Sequence, residues 1–421
     1  MKDSIGIVAS GTSLSQMVFY STNPITTDFV KIKHNMCRTV YRIQDIEIMN
    51  KRFLDGDFAR YIQESDDYSK YNIYISKAVP IAHINENDET YNDFWYIAPP
   101  GSRVTNASTK DISIAYDIAQ RESAQKIGYL RKHDNVPVWI ELSKLLTTHM
   151  AVIGRSGFGK SNFTKIILNN LSLQYMLFTP TNEYVGIKTG KHIDVDKITV
   201  PKDTDLIRKL LELNLSETSI LNEYLESCVH ESIHVSKLAD MISTGNEKNS
   251  FDKLAAKRST QAYSLCEKLY AADFYIGVKS NNIPNKSYIF NMQRLSAYEQ
   301  EIVIYLYLNQ ILNQRRADFK LIAEGESIPN RVVVFLEEAH KYIPSMKTTF
   351  CKEVINTIAR EGRKLGVHLV LLSQRPRYLD PTTLSQCGTS IIFNISNPDD
   401  IEYIMSNANF YGDEYKKNIR S

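Results

Sequence analysis

MAVIGRSGFGKS, residues Met150–Ser161, decides how the rest of the chain is read. An apolar run, Met150 to Ile153, leads into Gly154-Arg155-Ser156-Gly157-Phe158-Gly159-Lys160-Ser161, which matches G-x-x-x-x-G-K-[ST] at every position. Phe163, Ile166, Ile167 and Leu171 then recur at helical spacing, so the motif joins a strand to a helix. Glycines at 154, 157 and 159 allow the backbone to curl until successive N–H groups converge beside the positive end of the helix dipole. A concavity of that kind takes phosphate. Residues Gly154 to Ser161, with Asn162, are expected to cradle ATP; Lys160 supplies a point charge to the β and γ phosphates, and the Ser161 hydroxyl is a ligand for Mg²⁺.

A triphosphatase also needs carboxylates on a neighbouring strand end. Val332-Val333-Val334-Phe335-Leu336 is an apolar run closed by Glu337-Glu338. Glu337 is expected to hold the metal through a water and Glu338 to orient or deprotonate the attacking water. His340, just beyond, suits a structural role as well as a catalytic one. Farther on, the buried run Val367 to Leu372 ends in Ser373-Gln374, a neutral polar pair placed to read the γ-phosphate or the water. The helix expected before it, from about Lys352 to Leu365, ends in Ala359-Arg360-Glu361-Gly362-Arg363-Lys364. Basic residues suit a helix C-terminus through the dipole alone. An arginine finger there would add about 10³ to 10⁵ in rate.

Outward from these motifs, the region after Val136–Ile140 alternates apolar runs with helical patterns, which predicts βαβ units around a parallel sheet. The expected central strands are Met150–Ile153, Tyr175–Phe178, Val332–Leu336, Val367–Leu372 and Ser390–Asn394. Ile220, Leu221, Tyr224, Leu225, Cys228 and Val229 share one helical face, which predicts a helical insertion over about 203–278 with its loop at Ser243–Ser250. Before Val136, period-two runs (Ile5–Val8, Met17–Tyr20, Phe29–Ile32, Val40–Ile48, Asn72–Ile75, Phe94–Ile97) predict a small all-β barrel or sandwich. The expected fold class is α/β: a P-loop NTPase core over 136–421, preceded by an all-β domain over 1–135.

Of 421 residues, 43% are hydrophobic and 23% charged, which excludes global disorder. The net charge of +2 is too small to mark a DNA-coating protein, so any basic track must be local. Five scattered cysteines without a CxxC pair predict neither a disulfide framework nor a zinc site. With no apolar leader and no window of about 18 apolar residues, a cytoplasmic protein with no membrane span is expected.

With these residues in view, the chain resembles the HerA family of hexameric DNA-translocating ATPases, within the HerA and FtsK group. The β-rich N-terminal region resembles the family's small barrel. The lead-in Asn135–Ile140, GRSGFGKS, FLEEAHKYIP, and the stretch from Ile358 to Asp400 (IAREGRKLGVHLVLLSQRPRYLDPTTLSQCGTSIIFNISNPDD) carry the rest of the resemblance. It implies a RecA-like core that binds ATP through Gly154–Ser161, metal support from Glu337, catalysis by Glu338, and γ-phosphate sensing by Gln374. It further implies a finger from Arg363, with Arg360 in reserve, reaching a neighbour's site in a homohexamer. DNA is the implied substrate, and the implied partner is a nuclease or, in bacterial antiviral systems, a defence effector enzyme. A scaffold whose ATPase gates such an effector, with little translocation, is the alternative. The chain departs from the family pattern in having Glu337 where an Asp is usual, and in Phe178-Thr179-Pro180-Thr181-Asn182-Glu183-Tyr184, which keeps Glu183 and Tyr184 but lacks an early Asp. Relatives usually continue past the equivalent of Ser421, so ring closure is expected to rest on the barrel or on a partner.

Overall fold

The computed structural model describes residues 4–35, 37–50, 72–91, 96–227, 232–244, 259–277, 286–322 and 331–407. The chain divides into two compact units, Met1–Leu142 and Ser143–Ser421.

In the first unit, β1 (Ser4–Val8), β2 (Met17–Ser21), β3 (Phe29–His34), β4 (Cys37–Asn50), β5 (Asn72–Ile84) and β7 (Arg103–Asn106) close into an antiparallel barrel in the order β1-β2-β5-β4-β3-β7; β6 (Thr90–Tyr91) extends β5. The period-two pattern is the cause. Alternate residues such as Met17, Phe19, Val30, Ile32 and Val104 point inward and are fully buried, and closure leaves the six strands without a free edge. The expected strand Phe94–Ile97 is described only in part. Phe94 and Trp95 lie outside the described residues, and Tyr96 and Ile97 belong to no strand. Tyr96 instead stacks on His34 with ring centroids 3.6 Å apart. Pro99 and Pro100 have no N–H to give a ladder, and the barrel closes through β7 beyond them. After a short helix, α1 (Thr109–Ala115), the unit ends in the hairpin of β8 (Gln125–Leu130) and β9 (His133–Ile140), so Val136–Ile140 pairs within this unit.

The second unit is built on β10 (His149–Ile153), β11 (Gln174–Thr179) and β12 (Lys191–Asp194), with α2 (Lys160–Asn170) between the first two. An excursion follows, with helices α3 (Thr204–Leu210), α4 (Leu215–Ser227), α5 (Val235–Thr244) and α6 (Ser259–Ala271). It also carries a three-stranded sheet of β13 (Thr199–Pro201), β14 (Ile233–His234) and β15 (Tyr275–Gly277), which the helical pattern did not reveal. Ile220, Leu221, Tyr224 and Leu225 are buried in its core; Cys228, Val229 and most of the Ser243–Ser250 loop lie outside the described residues. The chain then returns through β16 (Tyr288–Asn291), α7 (Ala297–Ile322), β17 (Val332–Leu336), α8 (Lys352–Glu361), β18 (Val367–Ser373), β19 (Cys387–Ile392) and α9 (Pro398–Asn407).

The main sheet runs β12-β16-β11-β17-β18-β10-β19, every pair parallel. All residues of β10, β17 and β18 are buried, which is why these strands read as unbroken apolar runs. β12 and β16, four residues each at one side of the sheet, were too short to be read from pattern. Because the strands are parallel, their C-terminal ends open on one edge, where the motif loops meet.

Two corrections bear on the site. Helix α8 stops at Glu361 rather than near Leu365, because the chain past Gly362 tightens into i→i−3 turns, Lys364 N–H to the Glu361 carbonyl and Leu365 N–H to the Gly362 carbonyl, closed by Gly366 at φ +70° with Val367 N–H on the Gly362 carbonyl at 2.8 Å. Arg363 therefore lies in the turn that enters β18. Strand β19 begins at Cys387 and ends at Ile392, not over Ser390–Asn394, and Phe393 leaves the sheet to lie beneath the Gly154 loop. Among the described residues, no helix is long and apolar enough to cross a membrane.

Candidate active site

The Gly154 loop is clamped from both sides before it reaches α2. Gly154 N–H donates to the Ser373 carbonyl at 3.2 Å, Arg155 N–H to the Asn394 carbonyl at 3.2 Å, and Phe393 N–H to the Ile153 carbonyl at 2.7 Å. A side chain at 154 has no room, since its Cβ would meet Phe393 Cβ at 2.5 Å. Gly157 and Gly159 adopt φ of +82° and +101°, the left-handed region that favours glycine. The Lys160 ammonium donates to the carbonyls of Gly154 at 2.6 Å and Arg155 at 3.0 Å, so it is held over the loop it belongs to. Arg155 and Phe158 are exposed on the outer turn of the loop, with Arg155 bonded to Ser396 Oγ at 2.7 Å.

The loop faces a cleft of about 290 Å³ whose lining includes Gly157, Lys160, Ser161, Glu183, Glu337 and Glu338. Asn162, Thr181 and Ser373 complete its polar wall. The structure thus brings the expected phosphate cradle and both expected carboxylates into one site. The two carboxylates are treated very differently. Glu337 is 7% exposed and sits in a nest of hydroxyls: Thr179 and Thr181 donate to Oε2, the latter at 3.1 Å, and Tyr184 donates to Oε1 at 3.2 Å. The Tyr184 hydroxyl is also within hydrogen-bonding reach of Ser161, so it ties the metal-ligand candidates of both motifs together.

Glu338 stands at φ +55°, a left-handed conformation uncommon for a residue with a side chain and characteristic of positions the surroundings hold for function. Its Oε2 is buried without a hydrogen-bond partner. Burial pushes the carboxyls of both Glu337 and Glu338 above the ordinary carboxylate range; Lys341, Lys160 and Gln374 pull Glu338 back down, while the hydroxyl nest does so for Glu337. Burial pulls the Lys160 ammonium down, opposed by Glu338, Glu337 and Glu183.

Gln374 bridges the two sides: its Oε1 accepts from Ser156 Oγ in the loop, and its side chain is within hydrogen-bonding reach of Glu338. His340 Nδ1 lies 3.1 Å from Ser373 Oγ and 3.3 Å from Glu338 Oε2. Burial, with Arg375 and Lys341 nearby, lowers its pKa to about 4, so the ring is neutral and the contact with Glu338 is not an ion pair near pH 7.

Mg²⁺ fits this donor set. Three carboxylates, Glu183, Glu337 and Glu338, line the cleft with a single lysine and an orphaned buried oxygen, and hard oxygen donors suit that ion. Glu337 Oε1 accepts one bond and so retains a lone pair for a metal-bound water.

Arg360 and Arg363 do not join the cleft of their own chain. Both are exposed at the start of β18, whereas Gln374 follows its end, about 20 Å away at 3.3 Å per residue. Arg360 is electrostatically coupled to Glu361, which pairs with Arg316 at 2.8 Å; Arg363 has no ion pair among the described residues and lies instead near His149 and His368.

Sequence reasoning missed the hydroxyl nest and the Ser156–Gln374 contact. The only trace of the nest was Thr179-Pro180-Thr181-Asn182-Glu183-Tyr184 at a strand end, noted for what it lacked rather than for the donors it supplies. A first prediction follows from the loop geometry. Lys160→Ala should fold normally and lose tight ATP binding, because the partly exposed lysine bonds to the carbonyls of its own loop and carries the only positive charge among the described residues lining the cleft. Titration of the variant with labelled ATP checks this, and unchanged affinity would sink the phosphate-cradle assignment.

Residues 125–311 match the family described as helicase HerA, central domain. Over 458 aligned positions the chain is 25% identical to a probable helicase of Methanocaldococcus jannaschii, covering 99% of this chain and 86% of that protein. It is 27% identical over 342 positions to the DNA double-strand break repair helicase HerA of Sulfurisphaera tokodaii, covering 74% of this chain and 67% of that one. Among solved structures, VirB4 of Thermoanaerobacter pseudethanolicus aligns with 15% identity over 72% of this chain and 91% of that chain, at a TM-score of 0.44. The phosphate loop and the paired glutamates beside it are those of a P-loop ATPase, and over residues 125–311 the chain is similar to the HerA central domain.

Proposed function

We propose that this chain is the motor subunit of a DNA translocase or helicase: copies assemble as a homohexameric ring, hydrolyse ATP between neighbours and drive DNA movement for a nuclease or a defence effector. The single observation that carries the reading is Glu338, held in a left-handed conformation with a buried, unpartnered carboxylate oxygen opposite the phosphate loop. That is the placement of a base for an attacking water. The helicase names of the relatives supply DNA as the substrate class. The unit Met1–Leu142, rather than 1–135, is then the barrel domain and Ser143–Ser421 the motor domain, with the excursion at about 203–278 inserted in it.

In this mechanism the Gly154 loop and Lys160 hold the β and γ phosphates, and Ser161 and Glu337 hold Mg²⁺. The ion, when bound, offsets charge on the phosphate oxygens. Glu338 accepts the proton of the water that attacks the γ-phosphorus. Gln374, bonded to Ser156 and within hydrogen-bonding reach of Glu338, aligns that water and links the loop to the base.

Duplex DNA should raise the ATPase rate of the assembled protein, and the effect should fall as salt rises because phosphate contacts release counterions. A rate indifferent to DNA but changed by a partner protein would replace the motor with an effector-gating scaffold.

A further inference from the structure

The start edge of the main sheet, opposite the ATP cleft, carries charge that the mechanism above leaves largely unused. β17 and β18 begin level: Val332 pairs with Val367, and Val332 N–H donates to the Gly366 carbonyl at 2.8 Å. Arg331 immediately precedes the first strand and Arg363 precedes the second by four positions. Between them lies His368, 2% exposed, with neither ring nitrogen hydrogen-bonded. Its ring lies in the field of both guanidinium groups, and it faces His149 of β10 at 6.1 Å between ring centroids.

Among the described residues, the groups shown beside these arginines are neutral rings. Burial, then His149, Arg331 and Arg363, bring the pKa of His368 down to about 4, and burial likewise lowers that of His149. Glu361, two positions before Arg363, is paired with Arg316. Arg331 makes one long bond, to the Ser143 carbonyl at 3.3 Å, and neither Arg331 nor Arg363 forms an ion pair among the described residues. Two guanidinium groups beside neutral rings, with no ion-pair partner among the described residues, form an edge complementary to an external polyanion. It cannot be the nucleotide of the same chain, which binds at the far ends of these strands, about 20 Å away.

We propose that Arg331 and Arg363 together form a two-arginine clamp on the triphosphate bound by a neighbouring copy, Arg331 being the second cation of that shared site. The proposal rests on the ring reading above. Two forked donors approaching from one strand edge can engage separate phosphate oxygens, which one arginine cannot do alone while the charge shifts during γ-phosphoryl transfer.

The test uses the full chain in its assembled form. Arg331→Ala should bind ATP within about twofold of the parent and hydrolyse it about 100-fold more slowly, the usual cost of removing one preorganised donor. Arg331→Lys should recover part of the loss, since it keeps charge but not the fork. If Arg331→Ala does not fold, Arg331→Gln, which can still donate to Ser143, carries the same comparison. Mixing the Arg331 variant with Lys160→Ala should restore activity, because an intact phosphate loop then faces an intact Arg331, a recovery that a purely structural role would not give. Parental turnover in the Arg331 variant would overturn the proposal. So would weakened DNA binding with normal DNA-free turnover, which would make the edge a nucleic-acid contact. Recovery by the Arg363 and Lys160 mixture but not by the Arg331 and Lys160 mixture removes Arg331 alone; no recovery in either removes the shared site itself.

Discussion

Glu338→Gln should bind ATP as tightly as the parent and retain it unhydrolysed, with turnover reduced about 10³-fold, within the 10² to 10⁴ that a positioned base contributes. The amide is nearly isosteric with the carboxylate, so the strained φ of +55° and the packing around it are kept. What disappears is the acceptor: a neutral amide cannot take the proton of the attacking water. The choice of Glu338 over Glu337 rests on their surroundings. Three hydroxyls already occupy the Glu337 oxygens, whereas Glu338 keeps a buried Oε2 free of hydrogen bonds beside the phosphate loop. Glu337→Gln should accordingly act through the metal, weakening Mg²⁺ dependence and leaving a residual rate. Single-turnover hydrolysis and nucleotide retention distinguish the two. A Glu338→Gln enzyme at the parental rate beside an inactive Glu337→Gln enzyme would reverse the assignments.

How much of this could be read in advance depended on how tightly chemistry constrains spacing. The phosphate loop was legible because only one short arrangement of glycines, lysine and hydroxyl wraps a phosphate, and the sheet strands around it because burial on both faces leaves unbroken apolar runs. Glu337 and Glu338 were legible as the polar end of such a run. Their division of labour was not, because the donors that fill Glu337 come from Thr179, Thr181 and Tyr184, more than 150 positions upstream, on the neighbouring strand β11 and the loop after it. Threonines at a strand end have no signature spacing. The bond between Ser156 and Gln374 spans 218 positions and depends on β10 and β18 being neighbours, a fact of sheet order rather than of local pattern. The helical reading of Arg363 failed past Gly362, where i→i−3 turns closed by Gly366 at φ +70° end α8 early.

That early ending sharpens the expected behaviour of Arg363→Ala, which should bind ATP normally and hydrolyse it at least about 10³-fold more slowly, the usual contribution of a finger. In the turn between Gly362 and β18 the side chain is exposed, without an ion pair among the described residues, and a full strand length from the cleft of its own chain. An exposed arginine so placed contributes little to folding, so a pure loss of turnover could arise only through another copy's site. Arg360 is the weaker candidate, because Glu361 lies beside it and would have to be displaced in the field of an incoming phosphate. The decisive measurement mixes Arg363→Ala with Lys160→Ala. Neither variant hydrolyses ATP alone, yet a mixed ring places some intact phosphate loops opposite intact fingers, and activity should return in proportion to such interfaces. Native mass analysis establishes that mixed rings form. If they do and the mixture stays inactive, Arg363 acts within its own chain or holds the turn in place, and the trans assignment passes to Arg360 for the same test.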